Sequence, residues 1–303
     1  MSLFSFLRIE FLMFHINVAS VATKNITKMS DTTLYEITQE EAQYLKRLTV
    51  SLNRINIPSA LFASLSYQSN PIPVELDGVS NWYAQLFADL KGMTNKTERY
   101  HLFSEFMSHR FSLKANLQAD REEHRILRSK LSYKRIILGW LFDSNSEQGA
   151  ALRGWVESRF GLQTNYHSGL VADSDSDTYW AYRQKWHKAT HNTNELFAQL
   201  DLLYCYCQLE LSLLYPHSDH VTLYRGCINS PEIDSHPNIS LMSNISSFTF
   251  DPETAMLFGS KLYEVSVPLW KIVCFDDLLP GSLAGENEYL VLGGLYKTHT
   301  LRL

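Results

Sequence analysis

Cysteine is scarce in this 303-residue chain, with four residues at positions 205, 207, 227 and 274. Their spacing matches neither a metal framework nor a paired disulfide framework. Cys205-Tyr206-Cys207 lies inside an apolar stretch and reads as buried free thiols in a reducing compartment. No basic block is present and the net charge is −5, so the electrostatic footprint of a general nucleic-acid binder is missing. No apolar run reaches bilayer length. The run from Met1 to Phe14 is broken by Arg8 and Glu10, has no basic segment ahead of it, and leads to no small-residue cleavage site. Residues 1–28 therefore read as an upstream extension of the reading frame or a frayed tail, with Met29 the more natural start and a weak signal peptide the lesser reading. The missing secretion signal points to a cytoplasmic protein. Repeats and low-complexity linkers are also absent. With 45% hydrophobic and 19% charged residues, the chain is expected to fold around a sizeable core.

Metal signatures fail on inspection. Asp173-Ser174-Asp175-Ser176-Asp177 resembles a calcium loop, but Thr178 stands where the glycine is needed and Gln184 where the bidentate acid is needed. His187 and His191 have helical ligand spacing, but no glutamate follows His187 and no third ligand is evident. No metal is expected.

The remaining signals divide the chain. Thr38 caps a helical pattern through Leu52, with Glu41 at the capping-box position. Pro58, Pro71 and Pro73 interrupt the next twenty or so residues. Helical patterns then cover 81–91, 97–110, 120–141 (expected to be the longest), 146–160 with Gly161 as stop, 179–190 and 193–214. After Pro216 come short strands at 221–224, 262–267, 271–275, 289–292 and 296–303, with one helix signal at 251–258. The expected fold is α+β. It comprises an N-terminal extension (1–35), a helical region (36–215) and a β-rich core (216–303) integrated with it.

Three polar stations punctuate the β-rich part. In Gly285-Glu286-Asn287-Glu288-Tyr289-Leu290-Val291-Leu292, two carboxylates stand one residue apart before an apolar run; on a strand they share a side. Upstream, Tyr224-Arg225-Gly226 places an arginine at a strand end, and its planar fork suits a diphosphate. Between them, Ser247-Phe248-Thr249 runs into Asp251-Pro252, a helix start. Taken singly, these are equally at home as solvated acids, a surface arginine and a plain β-to-α junction.

In order, however, they resemble the R-S-E class of mono-ADP-ribosyltransferases. The resemblance departs from that class at Phe248 and at Thr249, which stands in place of a serine and leaves its own role open. The segments Asn53–Pro58, Val74–Val79, Leu141–Ala150 and Leu152–Leu162 extend the likeness over most of the chain. Together they resemble the dinitrogenase reductase ADP-ribosyltransferase family of nitrogen-fixing bacteria. The resemblance implies NAD as substrate, an arginine of dinitrogenase reductase as acceptor, reversible inactivation of nitrogen fixation, and a regulatory PII protein as a partner. It also implies that the helical region recognises the protein substrate. Lys114, Arg121 and Arg125 are candidate contacts there, against a plain solvated helix face.

The expected roles come from the chemistry. Cleaving the nicotinamide–ribose bond builds an oxocarbenium-like centre that a carboxylate stabilises; Glu288 takes that role, as in glycoside hydrolysis. Arg225 holds the diphosphate, with Gly226 beside it, and Ser247 fixes a hydroxyl or the carboxylate. Tyr224, Asn244 and Phe248 line the nicotinamide side. An arginine acceptor is protonated at ordinary pH and must lose a proton to attack, which gives Glu286 its place as base. Two other readings remain open: the same transfer onto a different protein, and a catalytically silent NAD- or protein-binding module.

Overall fold

The computed structural model describes residues 25–28, 34–113, 132–166, 169–170, 176–190, 195–229, 231–233, 236–280 and 287–301. Glu286, Lys114, Arg121, Arg125, Asp173, Asp175 and His191 lie outside them.

Within the stretch expected to be an extension, strands β1 (Asn25–Lys28) and β2 (Leu34–Ile37) pair as an antiparallel hairpin. Helix α1 (Gln39–Leu48) starts where its sequence says it should: the Thr38 hydroxyl accepts from the Glu41 amide at 3.1 Å. It stops at Leu48 rather than Leu52, because Thr49 leaves the helical conformation and bridges to Leu162. Short helices α2 (Ser59–Phe62), α3 (Leu65–Ser69) and α4 (Val79–Trp82) follow, then α5 (Ala84–Gly92) and α6 (Lys96–Arg110). Asn95 caps α6 by accepting from the Thr97 and Glu98 amides. Helix α7 (Tyr133–Phe142) is capped by Ser132, and α8 (Glu147–Phe160) by Ser146. Gly161 ends α8 at φ 65°, a left-handed position that glycine occupies at little cost. A small hairpin of β3 (Asn165–Tyr166) and β4 (Gly169–Leu170) leads to α9 (Asp177–Thr190) and α10 (Leu196–Leu214).

Helix α10, at 19 residues, is the longest described and is buried along most of its length. A helix apolar on every side belongs inside a protein. Two carboxylates on it are the exceptions, and each meets an arginine fork. Glu210 accepts from Arg99 Nε at 2.6 Å and Nη2 at 2.8 Å; Asp201 accepts from Arg159 Nε at 2.8 Å and Nη2 at 2.9 Å. These pairs lock α6 and α8 onto α10 in a fixed rotation. On the sheet side, Gln208 Nε2 donates to the carbonyls of Leu269 and Ile272.

The sheet comprises β5 (His220–Cys227), β6 (Glu232–Ile233), β7 (His236–Thr249), β8 (Lys261–Pro268), β9 (Ile272–Phe275), β10 (Glu288–Lys297) and β11 (His299–Leu301), with α11 (Pro252–Met256) after β7. All strand pairs are antiparallel, in the order β11-β8-β5-β7-β10-β9, with β6 on β7. The architecture is α+β, as expected. Residues from the helices and the sheet form the main hydrophobic core, running from Leu45 to Tyr296, and Ala150 and Tyr182 form a small second cluster. All four cysteines are free thiols, with Cys207 and Cys274 buried. Among the described residues, no helix is long and apolar enough to cross a membrane.

The seam of the sheet is uneven. β5 pairs with β8 along its whole length, from His220↔Pro268 to Cys227↔Lys261, and β7 pairs with β10 from Thr249↔Glu288 to Ile239↔Lys297. Between β5 and β7 there is a single pair, Tyr224↔Thr249. The two half-sheets therefore diverge from one point of contact.

Beneath β10 lies a buried cation. Lys271 is 0% exposed; its Nζ donates to the Gly293 carbonyl at 3.2 Å and sits 4.5 Å from the Tyr296 ring centre, 5.1 Å from Phe62 and 5.8 Å from Tyr67. Burial pulls its pKa down to about 7 from the ordinary 10.5. Between those two values the unfolded chain binds more protons than the folded one, so stability rises with pH through that window and is independent of this group below it. From pH 7 to 9 the gain is about 2 kcal/mol. Urea unfolding at the two pH values should show this rise in the wild-type protein and not in Lys271→Met. Equal rises in both proteins would count against it.

Candidate active site

The site lies where the half-sheets part. A cavity of about 620 Å³ opens there, lined by α7 and its following turn (Trp140 to Ser144), by the end of β5 (Tyr224 to Asn229), by Ser247, Phe248 and Thr249 of β7, by Ala255 and Phe258, and by Glu288. This is within the range of roughly 300–1,000 Å³ usual for small-molecule sites.

Strand register assembles the polar face. Glu288 stands opposite Thr249, and Thr249 opposite Tyr224, so these three side chains lie abreast on one face across three strands. Ser247 is two residues from Thr249 and shares that face. Asn287, immediately before Glu288, adopts a left-handed backbone at φ 49°, a conformation asparagine tolerates better than most residues. It turns the chain into β10, so that Glu288 is the strand's first residue.

Arg225 reaches across the seam. Its Nη1 donates to the Ser247 carbonyl, and its guanidinium lies 5.7 Å from the centre of the Phe248 ring. Five N–H donors sit on a guanidinium, and among the described residues one is used, in this bond, which leaves donors of the fork for an anion in the cavity. Gly226 keeps the neighbouring turn close: a Cβ there would fall 1.9 Å from the Ala255 carbonyl oxygen of α11. Tyr224, abreast of Glu264 on β8, has its phenol pKa raised by partial burial and by that carboxylate. Asp251 caps α11, accepting from the Glu253 and Thr254 amides at 3.1 Å, and its own pKa is lowered chiefly by the Thr254 hydroxyl.

The residues singled out from sequence do not all converge. Tyr224, Arg225, Gly226, Ser247, Phe248 and Glu288 line the cavity together. Asn244 does not. It is 1% exposed, and its Nδ2 donates to the carbonyls of Leu162 at 2.7 Å and Arg153 at 3.3 Å, clasping α8 to β7. Thr249 lines the cavity, but its Oγ1 accepts from the Asp251 amide at 3.1 Å, so it serves the turn into α11. Sequence reasoning overlooked Trp140, Asp143 and Ser144. The first of these donates from Nε1 to Ser247 Oγ at 3.1 Å. For Asp143 and Ser144 a partial signal exists, since they lie in Leu141–Ala150, which carries the family likeness without an assigned role; Trp140 lies just outside it.

The arrangement can hold an anion near Arg225, present a carboxylate at Glu288, and offer apolar surface at Phe258, while the Phe248 ring is 2% exposed and belongs to the core. The profile of the family described as dinitrogenase reductase ADP-ribosyltransferase matches residues 52–300. A curated relative from Rhodospirillum rubrum, named NAD(+)--dinitrogen-reductase ADP-D-ribosyltransferase, is 32% identical over 260 residues, covering 81% of this chain and 93% of the relative. No solved structure matches significantly. By the extent of both matches, the chain belongs to the dinitrogenase reductase ADP-ribosyltransferase family.

Proposed function

We propose that the cavity binds NAD and that the enzyme transfers its ADP-ribose to an arginine of dinitrogenase reductase. The observation that supports this most directly is the convergence of Arg225, Ser247 and Glu288 on one cavity from three different strands. The acceptor is inferred from the relative's name and from the Glu286-x-Glu288 pair.

In the reaction, the bond from the ribose anomeric carbon to the nicotinamide nitrogen breaks. Its electron pair leaves with nicotinamide, and positive charge develops on the ribose. Arg225 holds the diphosphate through the donors of its guanidinium fork. Glu288 accepts from a ribose hydroxyl and opposes the developing charge, an interaction stronger in the transition state than in the ground state. The acceptor guanidinium then forms the new C–N bond and gives up a proton, which Glu286 takes. The products are ADP-ribosyl-arginine, nicotinamide and a proton.

The test is incubation with labelled NAD and dinitrogenase reductase, followed by mass spectrometry of the labelled residue. Label on arginine is the expected result. Label only on other proteins would redirect the activity to a different target, and NAD binding without turnover would leave a silent module. Glu286→Gln should reduce arginine transfer about 10²-fold or more while NAD hydrolysis persists. Transfer by that variant at the wild-type rate would remove Glu286 from the role of base.

A further inference from the structure

We infer that Trp140 is a positioning residue for NAD cleavage: its indole N–H fixes the Ser247 hydroxyl as a hydrogen-bond donor toward the Glu288 side of the cavity. The inference rests on the NAD reading of the site. It starts from an asymmetry in the bond between Trp140 Nε1 and Ser247 Oγ, 3.1 Å long. An indole N–H can only donate, whereas a hydroxyl can do either. Ser247 Oγ is therefore the acceptor in this bond. Its single proton cannot point back at Trp140 and is left to be given elsewhere.

The rest of Ser247 is held as firmly. Its carbonyl accepts from Arg225, so the residue is gripped at main chain and side chain by two different elements. Ser247 lies diagonally from Glu288, because Thr249 is the residue directly opposite that carboxylate. Diagonal neighbours on an antiparallel pair have Cα atoms about 7–8 Å apart, a span that a glutamate side chain covers. A hydroxyl donated to the carboxylate favours its ionised form; donated to a ribose hydroxyl oxygen, it orients the sugar for Glu288. Thr249 does not offer the same service, since its Oγ1 is engaged by the Asp251 amide.

Trp140 is itself fixed. It is 4% exposed, and the Arg153 guanidinium lies 4.7 Å from its ring centre. The Arg153 carbonyl accepts from Asn244 Nδ2, and Asn244 is on β7, three residues before Ser247. The contacts close a circuit from β7 through α8 and α7 back to β7. The indole therefore has a rigid mount, as the positioning of a hydroxyl proton requires.

The test compares wild-type enzyme, Trp140→Phe, Ser247→Ala and the double variant in NAD cleavage. Trp140→Phe keeps an aromatic ring for Arg153 and removes the N–H. Its kcat should fall about five- to tenfold, with KM for NAD within about twofold of wild type. In the Ser247→Ala background, the same substitution should have no further effect, since the hydroxyl it orients is gone. Replacing Trp140 by its benzothienyl isostere, which lacks the N–H and keeps the shape, should reproduce the loss in kcat without lowering the thermal midpoint. Equal losses in both backgrounds, or wild-type kcat in the isostere, would overturn the inference. Failure of the wild-type enzyme to cleave NAD would instead overturn the reading of the site, and that result is distinct from any ratio between variants.

Discussion

Glu288→Gln should lower kcat for NAD cleavage by about 10²–10³-fold, the usual loss on removing one group aimed at developing transition-state charge. The substitution keeps size and hydrogen-bonding capacity and removes the negative charge. Because Glu288 is the first residue of β10 and its register partner is Thr249, a neutral amide at that position should leave the strand pairing intact. The loss should therefore fall on kcat, with NAD affinity changed much less, since the diphosphate is assigned to Arg225. Both outcomes of the enzyme, hydrolysis and transfer to arginine, should disappear together, because both depend on breaking the same bond. That joint loss separates Glu288 from Glu286, whose replacement should spare hydrolysis. The measurement is release of nicotinamide under saturating NAD, with an equilibrium binding titration beside it. Hydrolysis within about tenfold of wild type would remove Glu288 from the catalytic role.

Asp201→Ala should destabilise the fold by about 3–5 kcal/mol, the cost of leaving a buried charge without its partner. Asp201 accepts three hydrogen bonds: two from the Arg159 fork and one from Trp155 Nε1 at 2.7 Å. Truncation strands a guanidinium and an indole N–H against the side of α10, where the Asp201 and Arg159 side chains are only 11% and 10% exposed. Losing that much is a large share of the stability of an ordinary domain. Asp201→Asn should lose less, since its amide oxygen still accepts from Trp155. Asp201 is not among the residues lining the cavity, so protein that remains folded in the cold should keep its NAD affinity. Urea unfolding of the two variants gives the comparison, and a loss below about 1 kcal/mol in Asp201→Ala would show that water reaches the arginine.

The helical half was legible because its signals are local. Ser146 to Phe160, with Gly161 as stop, can be read from a cap, a periodic face and a glycine, and α8 follows those marks. The sheet was harder. β7 is the longest of the described strands at 14 residues, yet His236–Thr249 is rich in serine and asparagine and shows no clean alternation. Its pairing with β10 and β6, not its own composition, makes it a strand, and pairing across distant sequence leaves no local mark. Gly293-Gly294 misleads in the opposite sense. It reads as a break between two strands, but β10 runs through it unbroken, and the register slips there, with Ser243 and Asn244 of β7 opposite Gly293. At the site, Arg225, Ser247 and Glu288 were legible as an ordered set of residue types. Trp140 was not, because nothing in the order of the chain shows that an indole on α7 will meet a hydroxyl on β7. Asn244 reads as a cavity residue because it lies three residues from Ser247; the register of β7 slips between Met242 and Ile245, and the Asn244 amide is used against the Leu162 and Arg153 carbonyls instead.

The lone pair Tyr224↔Thr249 between β5 and β7 gives the seam the mechanics of a flexure. A ladder with many rungs resists splaying, since each rung must be broken in turn. A ladder with one rung leaves the spacing of its two halves to what packs across it, here α11 against β5, β7 and β8. The gap beside that rung is then dimensioned by side chains that span it, chiefly Arg225 reaching to the Ser247 carbonyl. Aperture and architecture are in this way set by different contacts: strand ladders fix the register of each half, and side chains reaching over the seam fix the width of the opening between them.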